Sequence, residues 1–75
     1  IVETRNIPKD LEILDVEPVV VANPYTGEEV TLEPDAVAVY DMIKGSESLS
    51  LYDDVRIGLD WFRKHEPKAY MILLD

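Results

Sequence analysis

Few residues in this chain could carry catalysis or metal binding, and their spacing argues against both. His65 is the only histidine and directly follows Arg63 and Lys64. A proton shuttle or metal ligand needs a second group to orient or co-ligate the imidazole, and Glu66 is the only such group beside it. The position instead suits a surface residue at a helix end, where a cation complements the dipole. The acid pairs Glu28–Glu29, Asp53–Asp54 and Asp15 with Glu17 come next. Hydrolysis by paired carboxylates needs two acids held across a cleft with their proton affinities driven apart, and a calcium loop needs oxygens at alternating positions around a central glycine. Neighbouring acids on a strand point to opposite faces, and on a helix they diverge by about 100°, so these pairs converge on neither a proton nor an ion. Ser46, Ser48 and Ser50 share a segment that lacks a G-x-S-x-G elbow, and Gly45 alone makes no phosphate-binding loop. With no cysteine, disulfides, thiolate nucleophiles and sulfur-ligated zinc are excluded. The expectation is a non-catalytic protein that uses no metal and no cofactor.

Recognition remains, carried by charge and by aromatic side chains. No basic residue lies between Lys9 and Lys44, whereas Asp10, Glu12, Asp15, Glu17, Glu28, Glu29, Glu33, Asp35 and Asp41 all do. Outside that stretch seven acids are matched by seven bases, so the stretch supplies the whole net charge of −9. Binding a phosphate backbone needs clustered Lys and Arg, and a field of the opposite sign disfavours direct nucleic-acid contact. The same field favours a protein partner with a basic surface, chiefly by speeding encounter. Among the aromatic residues, Tyr25 falls in a turn and is the best placed for an outside contact, although a turn tyrosine folds over its own hairpin as often, while Tyr52 and Phe62 share an inward helical stripe. Trp61 lies about 100° around the helix from Phe62, so it either packs on the C-terminal segment or stands beside Leu51 and Ile57 as an interface anchor. The candidate partner-binding residues are Tyr25, Glu28, Glu29, Glu33, Asp35 and Trp61.

These residues must be positioned by short elements. Residues 1–17 mix strand-like and helix-like apolar spacing at Leu11, Ile13 and Leu14 and are expected to form an extended arm. From Pro18, Val19-Val20-Val21-Ala22 leads through Asn23-Pro24-Tyr25-Thr26-Gly27 to Glu28-Glu29-Val30-Thr31-Leu32, a β-hairpin pattern with Val30 and Leu32 inward. Glu33-Pro34-Asp35 opens a helix expected over 34–44, ended by Gly45. Ser50, with Asp53 three residues on, resembles a capping box for a second helix over 50–65. Gly58 inside it costs roughly 1 kcal/mol relative to Ala, which points to close packing at that position. Pro67 can start a last element over 67–74, with helix favoured over strand.

A chain of 75 residues buries only about 60% of its unfolded surface, so its core is thin and its stability is expected at about 4–11 kcal/mol. An apolar fraction of 47% still argues against wholesale disorder. The longest apolar runs, Val19 to Ala22 and Tyr70 to Leu74, fall far short of the ~20 residues of a membrane span, and the expectation is a cytoplasmic protein that does not engage membranes.

The layout Asn23-Pro24-x-Thr26-Gly27-x-x-Val30-x-Leu32-x-Pro34, then Ala38-Val39-Tyr40-Asp41-x-Ile43-x-Gly45, then Tyr52 with Gly58-Leu59-Asp60-Trp61-Phe62, ending Pro67-x-Ala69-Tyr70-Met71, resembles small uncharacterised bacteriophage-encoded proteins over residues 23–75. The resemblance carries no catalytic motif. It implies a viral accessory or virion protein, which would place the chain in the host cytoplasm. The sequence therefore points to an extended arm (1–17) followed by a single small α+β domain (18–75), a hairpin at about 18–32 packed on two or three helices. Its expected function is docking on a basic surface of a host or viral protein. The competing expectation is a structural subunit of a homo-oligomer or virion that uses Trp61, Leu51, Ile57 and the arm as apolar contacts.

Overall fold

Two β-branched runs separated by an Asn-Pro turn pair as a hairpin. A computed structural model describes residues 7, 8, 11, 13 and 17–74; most of the arm expected over 1–17 lies outside the described residues. Strand β1 (Val19–Ala22) pairs antiparallel with β2 (Glu29–Leu32), setting Val19 opposite Leu32, Val20 opposite Thr31, Val21 opposite Val30 and Ala22 opposite Glu29. This register puts Val19, Val21, Val30 and Leu32 on the inner face and leaves Val20, Ala22, Glu29 and Thr31 exposed. Helices α1 (Pro34–Ser48), α2 (Tyr52–His65) and α3 (Pro67–Leu73) follow, giving an α+β arrangement of one two-stranded sheet and three helices. As the sequence suggests, proline opens both α1 and α3.

The end of α1 differs from the sequence reading. Gly45 does not stop the helix, which runs on through Ser46 to Ser48. Ser46 is buried one turn beyond the fully buried Ile43, so a further turn of helix covers core surface. The left-handed residue that ends α1 is Ser50, at φ 59°. Its N–H donates to Glu47 O at 3.2 Å, and the Leu51 N–H donates to Ser46 O at 2.8 Å, which is the Schellman pattern with serine where glycine is usual. A residue in that conformation cannot also serve as an N-cap, which takes extended φ/ψ. The capping box expected at Ser50 is accordingly not formed, and Leu51 caps α2 without a side-chain bond.

The core joins all of these elements. Leu32 of β2, Val39 and Ile43 of α1 and Phe62 of α2 are fully buried, with Ala69 and Leu73 of α3 closing the other side and Ile7 and Leu11 packed against the cluster. Phe62 meets Tyr40 and Trp61 edge-on, at ring separations of 6.4 and 5.4 Å, a geometry that matches positive ring edge to negative face. The Arg63 guanidinium lies over the Tyr70 ring at 5.5 Å and ties α2 to α3. Tyr52, expected inside, is 71% exposed. It opens α2 immediately after the chain reverses, where the α1–α2 layer ends, and burial along α2 sets in only from Asp54 and Val55 onward.

The close approach expected at Gly58 is present. A Cβ there would stand inside van der Waals contact with Ile43 Cγ1, 2.9 Å from Ile43 Cδ1 and 3.0 Å from Met42 Cε. Overpacking of this kind costs about 1–3 kcal/mol, against roughly 1 kcal/mol gained in helix propensity. Gly58→Ala is therefore expected to lower the unfolding free energy by about 1–2 kcal/mol in urea denaturation, and an unchanged midpoint would contradict the close crossing. At the other special position, Ser50→Gly relieves left-handed strain of about 1–2 kcal/mol and returns about 0.4–1 through the freer unfolded chain. It should stabilise by about 0.5–1 kcal/mol in the same assay.

Candidate protein-docking surface

Asn23 builds the hairpin tip. Its N–H donates to Glu28 O at 2.8 Å and its carbonyl accepts from Gly27 N–H at 2.9 Å. Its side-chain oxygen accepts from the Tyr25 and Thr26 N–H groups at 2.8 and 3.3 Å, an Asx turn that follows from the short reach of the Asn amide. Thr26 Oγ1 accepts from the Glu28 N–H at 3.2 Å, and Gly27 takes φ 78° to close the loop. The remaining group of Asn23, Nδ2, donates to Ile72 O in the last turn of α3 at 2.8 Å. One side chain thus shapes the turn and fastens it to the C-terminal helix.

On this scaffold Tyr25 is 92% exposed, with exposed Glu28 and Glu29 following it at the start of β2. Glu33 lies beyond the far end of β2, about 13 Å along the strand. It occupies the N-cap of α1 with no side-chain cap bond, so its carboxylate is exposed to solvent. Four of the residues expected at the surface therefore share the hairpin side of the fold: Tyr25, Glu28, Glu29 and Glu33.

The other two do not. Asp35 is 8% exposed, and its Oδ1 accepts from the Ala36 N–H at 2.8 Å. An acid in the first turn of a helix complements the dipole, and here that role removes it from the surface. Trp61 is 7% exposed, edge-on to Phe62 and 4.9 Å from the His65 ring. It belongs to the core and not to an exposed interface, which corrects the contact role expected of it.

The cations of the helices are mostly engaged elsewhere. Lys44 pairs with Glu47, Arg56 with Asp53 and Arg63 with Asp60, each three positions apart on its own helix. Exposed pairs of this type contribute well under about 1 kcal/mol each, but they keep positive charge away from the hairpin. Among the described residues, Glu28, Glu29 and Glu33 make no ion pair. Lys68 of α3 shares a shallow open cleft with Glu29, Thr31 and Val20 without pairing to that carboxylate.

The described residues do not bring the three serines together. Ser46 is buried and Ser48 lies on α1, while Ser50 is spent on the turn. Among the described residues no group of three potential ligands is arranged around a metal site, and no helix is long and apolar enough to cross a membrane. Residue types alone overlooked two exposed apolar groups. Val20 projects from the outer face of β1, and Leu49 and Tyr52 flank the α1–α2 reversal with Leu51. Strand alternation was the signal for Val20, whereas Leu49 and Tyr52 depended on where α1 ends. No protein-family model, no curated protein and no solved structure matches this chain.

Asn23→Ala removes the turn acceptor and the donor to Ile72 together and is expected to cost about 2 kcal/mol. Asn23→Asp keeps the acceptor but sets a carboxylate against the Ile72 carbonyl, so it should lose the α3 attachment alone. Thermal unfolding of both variants measures the two contributions, and wild-type stability in both would show that the Asn23 side chain carries neither.

Proposed function

We propose that this protein is a non-catalytic docking module that binds a basic surface of another protein through Tyr25, Glu28, Glu29 and Glu33. The observation that carries the reading is an almost fully exposed Tyr25 followed by exposed Glu28 and Glu29, with exposed Glu33 at the other end of β2 and no described cation paired to any of the three. Unpaired surface carboxylates keep their field and steer a cationic partner during encounter, while a rigid aromatic supplies contact area at low entropic cost. The Asn23 bonds hold the turn in one conformation, which reduces the ordering cost of binding. The resemblance to phage-encoded proteins makes a host or viral protein in the cytoplasm the partner to expect.

A structural-subunit reading draws on Leu49, Leu51, Tyr52 and Ile57, all exposed on or beside the α1–α2 reversal. It loses its intended anchor, because Trp61 is inside.

The test uses the immobilised protein as bait and a triple variant, Glu28→Gln, Glu29→Gln and Glu33→Gln, as its control. A protein retained by the wild type should associate with the variant about ten-fold more slowly at low ionic strength, with the gap closing as salt is raised. Equal association rates, or a rate indifferent to salt, would remove the acidic surface as the contact.

A further inference from the structure

We propose that β1 is an open pairing edge that takes β1 of a second copy, antiparallel, to form a four-stranded sheet in the order β2, β1, β1, β2. The inference concerns a different surface from the acidic tip and stands independently of it.

The sheet has two strands, and the helices pack more extensively on β2 than on β1. The bond from Asn23 N–H to Glu28 O fixes the alternation of the antiparallel ladder. With the observed register, Val19 and Val21 turn their N–H and C=O groups toward β2, and Val20 and Ala22 turn theirs away from it. Among the described residues those outward groups have no hydrogen-bond partner. They are a strand-pairing template left to solvent.

Charge selects the occupant. Edge strands are commonly protected by short length, proline, lysine, an inward charge or a bulge; β1 is short and flanked by Pro18 and Pro24 but carries no charge and no bulge between them. From Pro18 to Gly27 the chain carries no charged residue, although its net charge is −9. This is the strip where two copies of so acidic a protein can meet without opposing carboxylates. Val20 on the same strip is 60% exposed. Pro18 and Pro24 bracket the edge and restrict pairing to one short register. A two-fold axis at Val21 sets Val20 of each copy opposite Ala22 of the other, which satisfies all four outward groups on each strand in four hydrogen bonds. Glu29 of one copy then lies about three strand spacings, or 14 Å, from that of the other, beyond the screening length of about 8 Å at physiological salt. Because the strands are antiparallel, the two Tyr25 tips leave the sheet at opposite ends and neither is covered.

Sedimentation equilibrium from micromolar to millimolar protein tests this directly. The expected result is a mass approaching twice the 8.5 kDa of one chain, reached at lower concentration when salt is added, with slowed amide exchange at Val20 and Ala22 but not at Val21. Val20→Pro deletes only an outward N–H, leaves the hairpin's own bonds intact and should weaken self-association about thirty-fold, since two of the four bonds are lost. Val20→Lys places a cation on the same edge and should have a similar effect, so it decides the matter if the proline variant fails to fold by circular dichroism. A wild type that stays at one chain's mass throughout would overturn the proposal. So would a dimer that persists in folded Val20→Lys, or one broken by Leu51→Glu but not by either Val20 variant.

Discussion

Because Gly58 has no side chain, the backbone of α2 can settle against Ile43, and that contact fixes the depth at which Phe62 enters the core between α1 and the hairpin. A chain this short has little apolar area to bury, so the separation of its one helix pair matters more than it would in a larger domain. Tyr40 and Trp61 take their places around Phe62, α3 closes over the opposite side, and Leu32 brings in the strand that carries the acids. The candidate docking surface thus lies on and beside a strand whose inner face is held by the fully buried Leu32.

Charge is distributed by the same arrangement. Each of Lys44, Arg56 and Arg63 finds its acid within its own helix, and the aromatic rings of Tyr40 and Tyr70 lie beneath Lys44 and Arg63 at 5.5 Å. The helical half, residues 34–75, still has eight acids to five bases, but its cations sit among its own acids. The hairpin keeps an unbalanced negative field, apart from Lys68 at its margin. Field and shape therefore coincide at Tyr25, and it is this coincidence, rather than the net charge itself, that favours recognition of a cationic surface.

Much of the fold could be read in the residues. Asn23-Pro24 with Gly27 specified the turn, alternation in β2 specified which side chains face inward, and Pro34 and Pro67 marked two helix starts. Gly45 misled because a glycine ends a helix only where burial does not reward another turn, and burial of Ser46 is a tertiary fact. Ser50 misled for the complementary reason: its hydroxyl suits a cap, but the reversal of the chain forced its backbone into the left-handed region. At the candidate site, exposure of Tyr25, Glu28, Glu29 and Glu33 followed from their turn and strand-face positions. The burial of Asp35 and Trp61 did not, since each depends on the elements packed over it rather than on its own segment.

The attachment of Asn23 to Ile72 joins positions 49 apart in the chain. Closing so long a loop carries an entropic cost that local contacts do not. Through that amide, and through the packing of α3 on β2, the last turn of the helix bears on the turn that carries Tyr25, giving the far end of the molecule mechanical leverage over the residues that would meet a partner.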